Sequence, residues 1–150
     1  MIEKIISGAQ TGADRAALDW AIANGLPHGG WCPKGRRAED GVIPARYALQ
    51  ETPQSHYRQR TRWNVRDADA TLIVTTATEL TGGSLLTYRV AEQLSKPCLH
   101  VVSGTQWRGP LKVFMEGHTI RILNVAGPRS SRASGIEQFT HEVLRAAINL

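Results

Sequence analysis

Short segments rich in apolar and β-branched residues alternate with segments of helical periodicity along the chain. The first pair is a predicted strand at 4–7 and a predicted helix at 12–24, in which Leu18, Ala21 and Ile22 share one face. This alternation is typical of a parallel sheet covered by its connecting helices. We therefore predict an α/β fold, a single Rossmann-like domain over residues 1–150. Its open parallel sheet has about five strands, with helices on both faces.

The remaining elements follow from the same patterns. Further strands are predicted at 29–32, 71–75, 98–102 and 119–125. Further helices are predicted at 55–67, from Thr81 to Leu94, at 110–116 and around the apolar positions Ile136, Phe139, Val143 and Ala147. Thr11 with Asp14, and Ser134 with Glu137, have the spacing of helix-capping pairs. The segment 33–53 is rich in glycine, proline and charge and is predicted to be mainly loop.

The charge balance favours an anionic partner. The chain has 18 Lys and Arg against 13 Asp and Glu, a net charge of +5, which suits phosphates, nucleotides or nucleic acid. Its two cysteines, Cys32 and Cys98, are too few for a disulfide framework, and neither belongs to a CxxC pair of the kind that binds zinc. No apolar run is long enough for a signal peptide or a membrane span. We therefore expect a cytoplasmic protein that does not bind membranes.

The strongest local motif is a glycine-containing loop between the first strand and the first helix. Glycine at positions 8 and 12 permits tight turns and close approach of a ligand, and the helix N-terminus that follows favours a phosphate. The loop has neither the GK[ST] of a Walker A motif nor a GxGxxG fingerprint. The alternative is an ordinary glycine turn with Arg15 on a solvated surface. The candidate ligand-binding residues here are Gly8, Ala9, Gln10, Thr11, Gly12, Asp14 and Arg15.

A second loop of the same kind follows the predicted strand at 71–75. Its candidate ligand-binding residues are Thr81, Gly82, Gly83 and Ser84. In open α/β sheets ligands lie beyond the carboxyl ends of the strands, where the strand order reverses. Two such loops on neighbouring strands would form opposite walls of one cleft. The alternative is an ordinary tight connection in which Thr81 caps the helix.

The segment 28–41 combines glycines, Trp31 and three cations within four residues. Lys34, Gly35 and Arg36 are candidates for a loop that carries charge to an anionic ligand, and a solvated surface is the alternative. Four arginines at 58, 60, 62 and 66 crowd the next predicted helix, which suggests either an anionic partner, a subunit contact or a solvated face. The histidines show no metal-binding spacing, and no catalytic constellation can be assigned. The sequence thus indicates a binding site and leans away from an enzyme.

Together these segments closely resemble the molybdenum cofactor carrier family of the SLOG superfamily. The resemblance extends from Ser7 to Ser131 and rests on SGAQTGADRAALDWAIANG, PHGGWCPKGRRAEDGVIP, QRTRWNVRDAD, ELTGGSLLT and LNVAGPRSS. It implies a Rossmann-like domain that binds a phosphorylated small molecule and self-associates into dimers or tetramers. The implied ligand is the molybdenum cofactor, a pterin with a terminal phosphate and a dithiolene-bound oxo-metal group, or alternatively a nucleotide. The implied role is to carry or store the cofactor.

Two departures from related sequences matter. The family loop commonly reads SGGQTG, whereas this chain has Ala9 at the second glycine position, where a methyl group restricts a positive φ. The related cytokinin-activating phosphoribohydrolases carry GGxGTxxE, and counted from Gly82 their catalytic glutamate corresponds to Arg89. A nucleotide-derivative sensor or a nucleotide N-glycosidase therefore ranks second. Single-stranded nucleic-acid binding ranks third, because aromatic residues make up only 6% of the chain and do not interleave with arginine, so we do not expect a nucleic-acid partner.

Overall fold

The computed structural model describes residues 1–149, and its elements alternate much as the sequence predicts. The helices are α1 (Ala13–Ala23), α2 (Tyr57–Asp67), α3 (Gly82–Gln93), α4 (Arg108–Gly117) and α5 (Ile136–Ile148), with a 3-10 turn at Ser130–Arg132. The strands are β1 (Lys4–Ile6), β2 (His28–Gly29), β3 (Trp31–Cys32), β4 (Arg37–Ala38), β5 (Gly41–Val42), β6 (Gln50–Glu51), β7 (Ala70–Thr75), β8 (Cys98–Val102) and β9 (Ile122–Ala126).

Five strands form the main sheet in the order β2-β1-β9-β7-β8, and all of their pairings are parallel. If the chain is read as starting at β7, this order becomes 2-1-3-4-5, which is the doubly wound order of flavodoxin-like folds. The point at which the strand order reverses then lies between β7 and β9. Ligands of such folds bind beyond the carboxyl ends of the strands at that point.

Helices cover the sheet on both faces. On one face α1 packs against α5, and α4 packs beside α5; on the other α2 packs against α3. All six residues of β7 are buried, as expected for a central strand covered on both sides. The predicted α/β class and its Rossmann-like parallel sheet are therefore confirmed. Within residues 1–149, every helix is too short or too polar to cross a membrane.

The segment between β2 and α2 is more structured than predicted. The predicted strand at 29–32 divides into β2 and β3 because Gly30 turns the backbone with φ of +124°. A Cβ at Gly30 would lie 2.3 Å from the carbonyl oxygen of Ser7, so only glycine fits there. Beyond it, β3 pairs with β6, and β4 and β5 form a small antiparallel hairpin.

Both predicted capping pairs are wrong. The N-cap of α1 is Gly12 and that of α5 is Gly135, and neither helix start has a side-chain cap hydrogen bond. The Glu137 carboxylate instead accepts a hydrogen bond from the Ser130 hydroxyl, seven residues earlier. The first amides of the two helices donate to backbone carbonyls instead, Ala13 to Pro128 (3.2 Å) and Ile136 to Ala133 (3.4 Å).

Candidate ligand-binding cleft

A cleft of about 290 Å³ opens at the carboxyl ends of β1, β9 and β7, where the strand order reverses. Its walls come from four parts of the chain that are distant in sequence. The lining residues include Gly8, Gln10 and Asp14 after β1, residues 126–129 after β9, residues 75–77 and 81–84 around the start of α3, and Arg60 of α2. Both glycine loops contribute to one cleft, but their strands are not neighbours as predicted, because β9 lies between β1 and β7.

The N-terminus of α3 presents an open anion-binding wall. Thr81, Gly82, Gly83 and Ser84 all line the cleft. The first three amides of the helix have no carbonyl partner within it, and the helix dipole adds a partial positive charge. Among residues 1–149, no atom outside the adjacent residues and the helix's own backbone lies within 4 Å of a Cβ built on Gly82 or Gly83, so the space beside these amides is open. This arrangement can bind a phosphate or another oxyanion.

The first glycine loop differs, because four of its amide nitrogens already have acceptors within the protein. The acceptors are Ser7 Oγ for Ala9 (3.2 Å), Asp14 Oδ2 for Gln10 (3.4 Å), Gln10 Oε1 for Thr11 (3.0 Å) and the Pro128 carbonyl for Ala13 (3.2 Å). The N-terminus of α1 is thus largely satisfied by its own loop. The loop contributes the side chains of Gln10 and Asp14 to the cleft, together with Gly8, whose backbone lies against Arg60.

Of the seven candidate residues in this loop, three line the cleft: Gly8, Gln10 and Asp14. Ala9 faces a small core with Leu18 and Tyr47, and its φ of 59° shows that the methyl group is accommodated in the left-handed region. Gly12 packs against the β9 exit, since a Cβ there would lie 2.3 Å from the Pro128 carbonyl oxygen. Thr11 and Arg15 do not line the cleft and instead contact Glu39 and Asp40 at the tip of the β4–β5 hairpin.

A buried arginine and a buried carboxyl form the floor of the cleft. Arg60 and Asp14 are 8% and 6% exposed, and both line the cavity. Burial raises the pKa of Asp14 to about 6, although the charge of Arg60 opposes the shift. Burial also lowers the pKa of Arg60, against the attraction of Asp14. The pair places a cation and a titratable carboxyl where a ligand would lie.

From the sequence, an anionic partner, a subunit contact and a solvated face were all open for the arginines of α2, and Arg60 was not distinguished from the others. Its place on the buried face agrees with helical periodicity, because Arg60 and Asn64 are four residues apart and Val65 follows directly, and these are the buried residues of α2. Arg129 and Arg132, which follow β9 and also line the cleft, carried no such signal. Their place depends on the sheet order, which brings β9 between β1 and β7.

Gln10 combines a fixed orientation with an unused donor. It is 4% exposed, and its Oε1 accepts hydrogen bonds from the amides of Thr11 (3.0 Å) and Glu39 (2.9 Å). Its Nε2 is buried and has no hydrogen-bond partner among the described residues 1–149. Because Gln10 lines the cleft, a ligand is the natural source of an acceptor for this group.

The structure does not bring Lys34, Gly35 and Arg36 to this cleft. Lys34 is exposed, and the amide of Gly35 donates to the Glu51 carboxylate. The Arg36 guanidinium donates to three backbone carbonyls, those of Ile43, Pro44 and Tyr47. Arg36 therefore stabilises the conformation of the loop that follows it, residues 36–47.

An acidic residue of the same segment, Glu39, reaches the rim of the cleft instead, where it contacts the cleft-lining residues Gln10 and Arg129. The Glu39 carboxylate, at the tip of the β4–β5 hairpin, accepts hydrogen bonds from the hydroxyls of Thr11 and Ser131. Asp40 pairs with Arg15 at 2.5 Å. These contacts fasten the hairpin across α1 and the β9 exit. Within residues 1–149, no three His, Cys, Asp or Glu side chains come together as ligands for a metal ion.

The sequence profile of the circularly permutated YpsA SLOG family matches residues 5–148 of the chain. Among solved structures, the crystal structure of a "putative molybdenum carrier protein" from Syntrophus aciditrophicus SB is similar, with a TM-score of 0.92 and 48% identity. That match covers 98% of this chain and 95% of the other. A diphosphate reductase, (E)-4-hydroxy-3-methyl-but-2-enyl diphosphate reductase, matches with a TM-score of only 0.40 and 8% identity, over 96% of this chain and 59% of that one. No curated protein matches the chain.

Proposed function

The chain belongs to the circularly permutated YpsA SLOG family, and we propose that it is a binding protein for a phosphorylated heterocycle, with the molybdenum cofactor as its cargo. One observation supports this most directly. The free amides at the start of α3 and the buried guanidinium of Arg60 line one cleft at the reversal point of the sheet. Anion recognition by helix amides and arginine is the chemistry that a terminal phosphate requires.

The donor set suits this cargo in two further respects. Arg129 and Arg132 line the cleft and add positive charge that favours a second oxyanionic group, such as an oxo-metal centre. A cofactor whose metal is held by its own dithiolene needs no metal ligands from the protein. The cavity of about 290 Å³ is just below the range of about 300–1,000 Å³ that is usual for small-molecule sites.

The similar protein from Syntrophus aciditrophicus supports the proposal, since it is described as a "putative molybdenum carrier protein" and shares 48% identity with this chain. A nucleotide presents the same combination of phosphate and heterocycle, so the same cleft would accept one as an alternative ligand. We also propose the self-association into dimers or tetramers that the family resemblance implies. Light scattering after size-exclusion chromatography measures it directly.

The first experiment is native mass spectrometry after anaerobic purification. The protein is analysed as isolated and after incubation with molybdenum cofactor released anaerobically from a denatured molybdoenzyme. We expect a bound mass that contains a pterin and molybdenum. If the loaded sample holds no cofactor but does bind GMP, the cargo is a nucleotide and the carrier proposal is overturned. Release of free guanine from GMP would replace the binding role with a hydrolase.

A variant at the start of α3 tests the location of the site. Gly83→Ala places a methyl group beside the free amides, where nothing in the protein blocks it. We expect GMP binding, measured by calorimetry, to weaken at least about tenfold. The melting temperature should hold or rise, because alanine favours a helix by about 1 kcal/mol over glycine. Gly109→Ala in α4, equally uncrowded and outside the cleft, is the matched control. Equal affinity in both variants would move the phosphate away from α3.

A further inference from the structure

Within the described residues, the Gln10 amide is held in one orientation by the protein. Its oxygen accepts from the backbone amides of Thr11 and Glu39, at 3.0 and 2.9 Å. Rotating the amide by half a turn would set its NH₂ group against those two N–H donors and lose both hydrogen bonds. The NH₂ group is therefore the fixed and unpartnered end of a side chain that lines the cleft.

A buried donor without a partner is unfavourable and is relieved when a ligand supplies an acceptor. The local charge decides which acceptor fits. Asp14 also lines the cleft, and its Oδ2 accepts a hydrogen bond from the Gln10 backbone nitrogen at 3.4 Å, so a carboxylate lies next to residue 10. The α3 amides and Arg60 provide better partners for a phosphate dianion, whereas a neutral carbonyl oxygen or ring nitrogen can accept from Nε2 without repelling Asp14.

The sheet order sets the distance between this donor and the phosphate wall. Gln10 follows β1, and the α3 amides follow β7, with β9 between those two strands. Neighbouring strands are about 4.8 Å apart, so β1 and β7 lie about 9–10 Å apart across β9, which sets the scale of the cleft. A mononucleotide, or a pterin with a phosphate on its side chain, has this length between its phosphate and the far edge of its ring.

From these observations, and on the premise of the proposed function, we infer that Gln10 is a specificity-determining residue that reads a carbonyl acceptor on the heterocycle. The ligand class is then a phosphorylated oxo-heterocycle, such as a 4-oxopterin or a 6-oxopurine. Heterocycles with an amino group at that position place a donor against the Gln10 donor. They bind more weakly for that reason.

Inosine monophosphate and adenosine monophosphate test this inference, because they differ at the purine 6-position, oxo in one and amino in the other. We expect the wild-type protein to bind inosine monophosphate at least about tenfold more tightly than adenosine monophosphate. Gln10→Glu keeps an oxygen for the Thr11 and Glu39 amides and replaces the donor with an acceptor. It should abolish or reverse that preference, as measured by calorimetry with both nucleotides.

Gln93→Glu is the matched control. Gln93 is exposed at the far end of α3, and its Oε1 also accepts a hydrogen bond, from Arg62 at 3.3 Å. The Gln93→Glu variant should keep the wild-type preference for inosine monophosphate over adenosine monophosphate. Equal binding of the two nucleotides by the wild type, or an unchanged ratio in Gln10→Glu, would overturn the role of Gln10 and leave the binding function standing. Failure of the wild type to bind either nucleotide or the cofactor would overturn the proposed function itself.

Discussion

Arg60 donates a hydrogen bond from Nη1 to the carbonyl oxygen of Gly8, at 2.7 Å and across 52 residues of chain. The two residues fit each other closely, since a Cβ on Gly8 would lie 2.6 Å from the same Nη1 atom. This contact joins α2 to the loop after β1. It explains why a glycine in the loop and a buried arginine in a distant helix form one floor of the cleft.

Replacing Arg60 with methionine should destabilise the fold. The change removes the partner of the Gly8 carbonyl and leaves the buried Asp14 without its neighbouring cation. An unpartnered buried carbonyl together with a buried carboxylate that has lost a nearby opposite charge costs about 3 kcal/mol. Urea unfolding at pH 7 measures the loss, and part of it should be recovered at pH 5, where Asp14 takes up a proton. Arg62→Met, on the exposed side of the same helix, should change stability by no more than about 0.5 kcal/mol.

Asp14 should give the protein a distinctive pH dependence. Burial raises its pKa from 3.8 to about 6, so the folded state binds the proton more tightly than the unfolded state does. Its contribution to stability is complete below about pH 4 and is lost as the pH rises through 6. Asp14→Asn removes this contribution. The difference between the wild-type and variant free energies of unfolding should change by about 1 kcal/mol per pH unit in this window. A constant difference from pH 4 to 7 would contradict the burial of a charged Asp14.

Ala9 should tolerate no larger side chain. It is fully buried with a φ of 59°, and it packs in a small core with Leu18, Cys32, Ile43 and Tyr47. Ala9→Val adds volume and a β-branch in a left-handed conformation, and we expect a loss of about 2 kcal/mol. Ala9→Gly, which restores the common family loop, should stay within about 1 kcal/mol of the wild type. Thermal melts of both variants, with Ala45→Val at an exposed position as a control, measure these effects.

Glu39 should hold the β4–β5 hairpin closed over the rim of the cleft. Hydrogen bonds from Ser131 and Thr11 lower the pKa of its carboxyl, so the contact depends on the charged form. Glu39→Gln should weaken both contacts and speed amide hydrogen exchange in residues 37–42. Glu116→Gln, an exposed change on α4, should leave that exchange unaltered. If exchange in the hairpin is the same in both variants, other contacts hold it.

Much of the fold could be predicted because it depends on local patterns. The apolar run at 70–75 and the four-residue repeat of Leu86, Val90 and Leu94 each indicate an element whatever lies next to it. The capping predictions at Thr11 and Ser134 were wrong because helix ends compete for several partners. The Thr11 hydroxyl donates to the distant Glu39 carboxylate, and the first amides of α1 and α5 donate to the backbone carbonyls of Pro128 and Ala133.

The candidate site divides in the same way. The glycine loops at 8–12 and 81–84 can be read from the sequence, because glycine next to a helix start has a local conformational meaning. The sequence did not reveal that the first loop satisfies its own amides or that Arg60 lies beneath it. Nor did it show that the Arg36 side chain donates hydrogen bonds to carbonyls of its own loop, while Glu39 reaches the rim of the cleft.

The sequence by itself determined the α/β class, the alternation of strands and helices, the two glycine loops and the family. Each of these depends on residues close together in the chain. Only the tertiary structure decided which loop has free amides, which arginine is buried and which donor of Gln10 is left without a partner. Those outcomes depend on the order β2-β1-β9-β7-β8, which brings together residues 8, 60, 83 and 129. Burial and hydrogen bonding are set by such neighbours, and no local pattern encodes them.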